Sequence, residues 1–246
     1  MTTAQPMTAE ERIQRDYYAS TAASYDAMHV NKKDEQYFAL AFLAGMLEYF
    51  EVQSVLEIGA GTGRALLYIK SARSGVEVCG IEPVPELREI ARSKGLSAQE
   101  IRPGNAMNLE FEDSHFDVVC AFGVLHHIKH PDRVVGEMLR VAKKAIFISD
   151  SNNFGQGRWL CRTVKQALHA TGTWKIVNFL KTRGRGYSIT EGDGLAYSYS
   201  VFSDYARIRA QCDTIHLVNT GQASPNLYRT AGHLALLGIK KQANSN

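Results

Sequence analysis

Cysteine is scarce in this chain, and its few cysteines lie far apart. They are Cys79, Cys120, Cys161 and Cys212, and no two of them form a Cys-x-x-Cys pair. This spacing gives no disulfide framework and no zinc site, so we expect a reducing compartment and no bound metal. Cys79 and Cys120 fall in predicted strands, where a cysteine usually acts as a small apolar residue.

Long apolar runs are absent as well. The most apolar stretch, residues 39–47, contains Gly45 and is followed by Glu48, and it falls short of the roughly 20 residues that span a bilayer. Residues 1–15 are polar and charged, unlike a secretory signal peptide. We therefore expect a cytoplasmic protein without a transmembrane segment.

Net charge is also low, because 28 basic and 25 acidic residues give +3 over 246 residues. A charge this small does not by itself argue for a nucleic-acid partner. The apolar fraction of 45% is ordinary for a globular protein. The length suits one α/β domain with some additions.

What the sequence does contain is a glycine-rich stretch after a short apolar run. Residues 55–58 include β-branched side chains, as in a strand that is buried on both faces. Gly59, Gly61 and Gly63 follow at alternate positions, and residues 65–69 resume with helical spacing. A strand, a glycine turn and a helix predict the first half of a nucleotide-binding βαβ unit.

Two details separate this stretch from a dinucleotide site. Arg64 stands where the last glycine of Gly-x-Gly-x-x-Gly would be, and Glu57 lies two residues before the first glycine. Together they resemble the first motif of class I S-adenosylmethionine-dependent methyltransferases. The resemblance implies S-adenosylmethionine as the cofactor, with Glu57 near its methionine end and with Ala60 and the three glycines beneath it.

The resemblance also implies the fold. It is an α/β fold with a Rossmann-like, doubly wound, seven-stranded and mostly parallel sheet that ends in an antiparallel hairpin. The predicted strands are residues 55–58, 76–81, 98–101, 116–121, 145–149, 214–219 and 233–239, the last two joined by a turn at 220–225. The predicted helices are residues 8–28, 33–50, 87–94, 131–142 and 203–211. The domains are then an N-terminal helical lid (1–50), a cofactor-binding core (51–150), a helical and loop insertion for the substrate (151–200) and the C-terminal helix with the last two strands (201–246).

The first predicted helix begins with a capping signal, since Glu11 lies three residues after Thr8. Within it, residues 17–26 resemble the aromatic-rich lead-in of many small-molecule methyltransferases. In that family the segment often folds over the cofactor, which would bring Tyr25 to the cofactor pocket. The alternative is a surface helix whose tyrosines pack on the domain.

Glu82 follows the second predicted strand, roughly 20 residues beyond the glycines, where an acid can accept hydrogen bonds from a ribose diol. We therefore predict that Glu82, with Pro83 beside it, binds the ribose. The alternative is an acid that only complements the N-terminus of the next helix, a role for which Glu86 is better placed.

Two further segments complete the predicted cofactor site. In the family an Asp or Asn after the third strand binds the adenine amino group, and Asn105 stands at that position with Ala106 as its neighbour. Asn is equally a common turn residue. Phe122 and Gly123 open a segment, residues 122–128, that resembles the fourth motif of the family and would run beside the methionine portion.

The catalytic candidates are His127, His126 and Asp150. Methyl transfer from a sulfonium depends mainly on alignment of the acceptor, and a hydroxyl acceptor also needs a general base, for which histidine is suited near neutral pH. Consecutive residues in a helical turn point about 100° apart, so we expect one histidine to face the pocket. His127 aligns with the position that is most often histidine in the family, where it frequently has a structural role. Asp150 ends the fifth predicted strand, and its alternative role is to cap the next helix.

The insertion has charge of one sign. No acidic residue lies between Asp150 and Glu191, whereas the same block contains Arg158, Arg162, Lys165, Lys175, Lys181, Arg183 and Arg185. Glycines beside the last two arginines suggest a loop whose backbone approaches an anion. We predict that Arg158, Arg183, Arg185 and Tyr187 bind a substrate with a phosphate or carboxylate. A solvated lid and a peripheral contact with an anionic membrane are the alternatives, and no recognition module supports nucleic acid.

Residues 187–194 and 197–200 resemble methyltransferases of bacterial surface-glycan assembly. We therefore predict O-methylation of a small-molecule or glycan hydroxyl on an anionic substrate. The alternatives are an N-methyltransferase of a small metabolite and a catalytically silent S-adenosylmethionine-binding partner protein. A nicotinamide dehydrogenase is disfavoured by the glycine spacing, by Glu57 and by the terminal hairpin, and the sequence leaves the oligomeric state open.

Overall fold

The structure is a computed structural model that describes residues 7–221 and 224–241. Parts of three predicted segments therefore lie outside the described residues. These parts are residues 1–6 of the N-terminal segment, residues 222–223 of the turn between the last two strands and residues 242–246 of the C-terminal unit.

Helices and strands alternate through most of the chain. The α-helices are α1 (Ala9–Thr21), α2 (Tyr25–His29), α3 (Glu35–Tyr49), α4 (Arg64–Ala72), α5 (Pro85–Ser93), α6 (Pro131–Val141), α7 (Trp159–Ala170), α8 (Trp174–Lys181) and α9 (Tyr205–Gln211). The strands are β1 (Ser54–Ile58), β2 (Glu77–Ile81), β3 (Ile101–Arg102), β4 (Phe116–Phe122), β5 (Ala142–Ser151), β6 (Tyr187–Thr190), β7 (Gly194–Tyr197), β8 (Cys212–Asn219) and β9 (His233–Lys240).

Seven of these strands form one sheet in the order β3-β2-β1-β4-β5-β9-β8. The first five are parallel, and β9 runs antiparallel to both β5 and β8. The order reverses between β1 and β4, so a crevice opens beyond the carboxyl ends of these two strands. The prediction of a doubly wound, mostly parallel sheet with an antiparallel hairpin at its end is confirmed.

The core lies on both faces of the sheet. All seven residues of β4 are buried, as expected for a parallel strand with helices on either side. Leu43 of α3 and Leu66 of α4 pack on one face, while Met138 of α6 and Ile208 of α9 pack on the other. The two cysteines predicted to be small apolar residues are indeed buried in β2 and β4.

The N-terminal helix begins as the sequence predicts but ends earlier. The Oγ1 atom of Thr8 accepts the N–H of Glu11, and the Glu11 carboxylate accepts the N–H of Thr8, which is a capping box. The predicted helix of residues 8–28 is wrong in its middle, because a 3₁₀ turn at Ala22–Ser24 separates α1 from α2.

Two other predicted boundaries are also wrong. The third strand is the two-residue β3 rather than residues 98–101, because Ser97 and Glu100 bond each other's backbone N–H and close a turn there. The last predicted helix begins earlier than Ser203, with a 3₁₀ turn at Val201–Asp204 before α9.

The insertion contains the helices α7 and α8, in agreement with a partly helical insertion. It also contains an antiparallel hairpin of β6 and β7, and this hairpin was not predicted from the sequence. The helices contact each other, and β7 packs against α1. Among the helices that the structure describes, none has the length and apolar character needed to cross a bilayer.

Gly80, near the carboxyl end of β2, tests how tightly the sheet packs against the glycine turn. A Cβ at Gly80 would lie 2.7 Å from both Ala60 Cβ and Leu66 Cδ1. We expect Gly80→Ala to lower the free energy of unfolding by about 1–3 kcal/mol because the neighbours must move. Gly75→Ala is the matched control, since nothing lies within 4 Å of its added Cβ. Thermal unfolding of both variants checks this, and equal melting temperatures would contradict it.

Candidate active site

Two cavities open at the carboxyl ends of the parallel strands. The smaller cavity, of about 280 Å³, lies at the glycine turn, and the larger cavity, of about 700 Å³, lies between the core and the insertion. Tyr18, Tyr25, Phe122, Gly123 and Tyr197 line both of them. A molecule in one cavity can therefore contact a molecule in the other.

The glycine turn forms the floor of the smaller cavity. Gly59, Gly61 and Gly63 have φ values of 66°, 54° and 79°, a region that side chains disfavour. A Cβ at Gly59 would lie 2.7 Å from Val124 Cγ2, and one at Gly61 would lie 3.1 Å from the Tyr25 hydroxyl. The turn thus needs glycine both for its backbone shape and for the close approach of its neighbours.

Glu82 is buried at the wall of this cavity, with Pro83 beside it. Its two carboxylate oxygens accept the backbone N–H groups of Gly61, at 2.9 Å, and Val84, at 2.8 Å. Burial raises the pKa of Glu82 to about 6, although these two hydrogen bonds oppose the shift. The carboxylate is therefore held in one position, and each oxygen retains a second lone pair for a ligand.

Glu57 lies buried at the end of β1, close to the glycine turn. Burial raises the pKa of Glu57 to about 8. Its Oε2 atom has no hydrogen-bond partner among the described residues. A buried carboxyl oxygen without a partner is costly. Glu57 lines neither cavity, however, so its predicted position near the methionine end of the cofactor stays a prediction.

Asn105, Ala106, Phe122 and Gly123 complete the lining of the smaller cavity at the ends of β3 and β4. The Asn105 side-chain oxygen accepts the N–H of Met107 at 2.9 Å, so the turn role of this residue is confirmed. Its predicted contact with an adenine ring stays a prediction.

The aromatic segment at residues 17–26 contacts both cavities and the insertion. Tyr18 and Tyr25 line the cavities, and the Tyr17 hydroxyl donates to the backbone oxygen of Glu191 at 2.8 Å. Gln14, one turn earlier, accepts the N–H of Leu195 at 2.6 Å. The start of the chain is therefore tied to the β6–β7 hairpin over the cavities.

His126 connects the core to the insertion. Its Nδ1 donates to Asp150 Oδ1 at 2.7 Å, and its Nε2 donates to Asp193 Oδ2 at 3.1 Å. Burial lowers the pKa of His126, but the charges and hydrogen bonds of Asp150 and Asp193 outweigh it and raise the pKa to about 10. In this arrangement the ring is an imidazolium at neutral pH.

His127 is held differently. Its Nδ1 lies 2.6 Å from the backbone oxygen of Leu195, which can only accept, so this nitrogen carries the proton. Its Nε2 accepts from the Tyr18 hydroxyl at 3.0 Å. Both ring nitrogens therefore bind protein groups of the hairpin and of α1, and His127 fastens these elements together.

Asp150 lies inside β5 and is completely buried. Besides His126, it accepts the backbone N–H groups of Leu125, at 2.8 Å, and Ser151, at 2.6 Å. Burial would raise the pKa of Asp150, but the charge and hydrogen bond of His126 lower it below the usual value. The alternative role as a helix cap is wrong, because α7 begins only at Trp159 and Arg158 is its N-cap residue.

Asp193 is the residue of this site that sequence reasoning missed. It lies in the turn between β6 and β7, and its Oδ1 is also 3.4 Å from His127 Nε2. One signal was present, since Asp193 is the second acid after a long block without any and stands between two glycines. Gln14 had no comparable signal, because its partner is far away in the sequence, and Tyr18 was noted only as part of the aromatic segment at residues 17–26.

His126, His127 and Asp193 also bring one nitrogen or oxygen atom each to within 4.8 Å of one another. Imidazole and carboxylate groups together can bind divalent metals. Here their atoms hydrogen-bond to one another and to Tyr18. The expectation of no bound metal stays a prediction, which a chelator can test.

The basic residues of the insertion are divided between the larger cavity and the outer surface. Arg185 and Tyr187 line the cavity, and the Arg185 guanidinium lies 5.8 Å from the centre of the Tyr187 ring. Lys181, which sequence reasoning did not single out, lines it too. Arg158 and Arg183 are exposed and lie outside this lining.

The comparisons with known proteins agree with this geometry. Residues 56–148 match the family model of a methyltransferase domain. The chain is 33% identical over 130 residues to a phosphatidylethanolamine N-methyltransferase of Cereibacter sphaeroides, an alignment that covers 46% of this chain and 57% of that protein. It is 30% identical over 95 residues to a norajmaline N-methyltransferase of Rauvolfia serpentina, covering 37% and 32%. The chain thus spans about half or less of the length of these curated relatives.

Solved structures match over more of the chain. The magnesium protoporphyrin IX methyltransferase of Synechocystis PCC 6803, with S-adenosylhomocysteine bound, has a TM-score of 0.60 at 14% identity and covers 94% of this chain and 100% of its own. A possible histamine N-methyltransferase of Thermotoga maritima has a TM-score of 0.57 at 19% identity, covering 92% and 99%. At these identities the similarity establishes the fold.

The smaller cavity fits the cofactor that this fold binds. Glu82 can accept hydrogen bonds from ribose hydroxyls, and the glycine turn leaves space beside it. The Synechocystis methyltransferase of the same fold has been solved with S-adenosylhomocysteine and with S-adenosylmethionine bound. Residues 56–148, which include the turns and strand ends that build this cavity, are therefore similar to a methyltransferase domain, and the chain has the fold of the solved methyltransferases named above.

Proposed function

We propose that this protein transfers the methyl group of S-adenosylmethionine to a hydroxyl of an anionic, glycan-like substrate, with His126 as the general base. The observation that carries the proposal is the position of His126. Its ring lines the larger cavity next to Phe122 and Gly123, where the two cavities meet, and Asp150 holds its Nδ1 from inside the sheet.

When bound, the cofactor would supply a methyl group on a sulfonium ion. The leaving group is then a neutral thioether, which the protein does not need to protonate. The protein must align the acceptor oxygen with the methyl carbon and remove the hydroxyl proton. Nε2 of His126 can accept that proton after the acceptor displaces Asp193, because the pKa of the ring then falls and the proton already on Nε2 can pass to solvent. Asp150 would stabilise the imidazolium that forms again when the hydroxyl proton moves to Nε2, much as the acid of a catalytic triad does.

Acceptor binding is supported by the cationic side of the larger cavity. Lys181 and Arg185 lie on the side of the insertion, whereas Asp34 and Glu35 lie on the side of α3. Trp174 and Tyr187 add flat faces of the kind on which sugar rings pack. A phosphate or carboxylate of the substrate is therefore expected near Lys181 and Arg185, with the sugar between it and His126.

The competing function is N-methylation. Both curated relatives named above are N-methyltransferases. A neutral amine can attack without a general base, so a buried Asp–His pair would be unnecessary in that reaction. Incubation with labelled S-adenosylmethionine and a panel of sugar nucleotides, lipid-linked sugars and small amines separates the two. A product methylated only on nitrogen would contradict the proposal.

Glu82 should control cofactor affinity. We expect Glu82→Ala to weaken S-adenosylhomocysteine binding by about tenfold or more, because hydrogen bonds from the ribose to a charged group are lost. Since only the ionised carboxyl accepts both hydroxyl protons, wild-type affinity should also fall as the pH decreases through about 6, the pKa of Glu82. Titration calorimetry at several pH values measures both effects.

Two variants serve as controls for that experiment. Glu86→Gln changes an exposed acid in the first turn of α5 and should leave affinity unchanged. Glu82→Gln keeps the size of the side chain but removes its charge. The affinity of this variant for S-adenosylhomocysteine should also fall. If Glu82→Ala binds like the wild type, then the ribose role of this residue is wrong.

His126 should matter for chemistry more than for binding. We expect His126→Asn to lower kcat by about 10²-fold or more, which is the usual range for loss of a general base, with unchanged affinity for S-adenosylhomocysteine. His127→Asn should retain a larger part of kcat because His127 fastens α1 to the hairpin. A greater loss of kcat in His127→Asn would instead identify His127 as the base.

A chelator tests the cluster of His126, His127 and Asp193. Loss of wild-type activity with a chelator would identify this cluster as a metal site.

Asp193 should set the pH dependence. The base acts when deprotonated, so kcat/KM should rise with pH through the pKa of His126. Asp193→Asn removes one of the two carboxylates that raise this pKa, so we expect the midpoint to move to lower pH by about one unit or more. Glu191→Gln, which changes an exposed acid of the same turn, is the control. Coincident profiles for Asp193→Asn and the wild type would refute this role.

A further inference from the structure

The exposed large apolar side chains of the described residues are concentrated in one segment of the insertion. Seven of the twelve lie there: Trp159, Leu160, Val164, Ile176, Phe179, Leu180 and Ile189. Their exposure is high, reaching 70% for Leu180 and 69% for Trp159. Exposed apolar side chains concentrated on two helices that contact each other indicate a surface with a binding role.

Helix α7 is oriented with its polar side toward the protein. The Nζ atom of Lys165 donates to backbone oxygens of Asn153 and Gln156, and Gln166 Nε2 donates to the backbone oxygen of Phe154 at 2.9 Å. None of its residues is fully buried, and its apolar residues near the N-terminus point outward. A surface helix of a soluble protein normally has the opposite orientation.

Helix α8 repeats this arrangement. Trp174 Nε1 donates to Ser198 Oγ at 2.8 Å, and Asn178 Nδ2 donates to the backbone oxygen of Gly186 at 3.3 Å, so polar atoms again attach the helix to the protein. Ile176, Phe179 and Leu180 remain exposed. The hydrogen bonds of both helices thus hold their apolar side chains outward.

Positive charge surrounds this surface. Arg158, Lys175, Lys181, Arg183 and Arg185 are exposed, and the 40 residues at 151–190 include no acid. Within the described part of the chain, none of these five cations forms an ion pair. Apolar side chains bordered by unpaired cations suit a membrane surface. There the apolar side chains can contact acyl chains while the cations contact anionic headgroups.

We propose that α7 and α8 bind the surface of an anionic phospholipid bilayer. Their apolar side chains enter the region just below the headgroups, and the cations contact lipid phosphates. A second copy of the chain is a poorer occupant, because a symmetric dimer through this surface would oppose two cationic patches.

The membrane contact also identifies the kind of acceptor, and this part depends on the proposed function. Trp174, Lys181, Arg185 and Tyr187 belong to the same segment and line the larger cavity. The cavity therefore opens beside the bilayer. The acceptor is then a hydroxyl on a lipid-anchored molecule with an anionic group, such as a sugar joined to a lipid phosphate.

Vesicle sedimentation tests the contact without reference to catalysis. The wild type should bind vesicles of equal parts phosphatidylcholine and phosphatidylglycerol, more weakly as salt concentration rises, and should not bind phosphatidylcholine alone. Ile176→Asp combined with Leu180→Asp should lower the partition coefficient by about tenfold or more, since two large apolar side chains no longer enter the bilayer.

Two controls make the result specific. Tyr49→Asp changes an exposed aromatic residue of α3, outside the surface, and should bind vesicles like the wild type. The double variant lines neither cavity and should keep the wild-type affinity for S-adenosylhomocysteine, which also shows that it is folded.

Several outcomes would overturn the membrane proposal. They are absence of wild-type binding to anionic vesicles, equal binding of the double variant, and a wild-type dimer that the double variant abolishes without any vesicle binding. Normal vesicle binding combined with no binding of S-adenosylhomocysteine would leave the membrane contact in place and refute the proposed reaction. Methylation of soluble sugar nucleotides but not of lipid-linked sugars would refute only the lipid-anchored acceptor.

Discussion

The hydrogen-bonded chain from Asp150 through His126 to Asp193 joins the parallel sheet to the insertion, and the site depends on it. Asp150 is fixed by backbone N–H groups inside the sheet, so it gives His126 a defined position. Asp193 then draws the β6–β7 hairpin onto the histidine, and His127, Tyr18 and Gln14 attach the start of the chain to the same hairpin. Three parts of the chain thus meet at the two adjacent histidine rings.

This arrangement also separates two tasks in space. The ends of β1, β2 and β3 build the cofactor cavity from backbone turns and buried acids, which need little from the insertion. The insertion lines the larger cavity, the proposed acceptor site, and has the apolar and cationic surface on its outer side. In the proposed account the acceptor enters from the membrane side, displaces Asp193 from His126 and meets the methyl group where the cavities join.

The sequence predicted the elements whose signals are local. Alternating strands and helices, the glycine turn and the capping box of Thr8 and Glu11 depend on residues close in the chain, and the structure contains them all. It did not predict the β6–β7 hairpin or the contacts of Gln14, whose partner Leu195 lies 181 residues later. Similarly, the sequence placed His127 first among the candidate bases, whereas the contacts that distinguish the two histidines come from Asp193 and Leu195. Such pairings depend on tertiary folding, which local patterns do not encode.

The proposed methyltransferase function depends most directly on S-adenosylmethionine binding at the glycine turn. Titration calorimetry of the wild-type protein with S-adenosylhomocysteine, with NAD as the control ligand, tests this claim. We predict saturable binding with one site and micromolar affinity for S-adenosylhomocysteine and no heat of binding with NAD. A folded protein that binds NAD, or that binds neither ligand, would contradict the account.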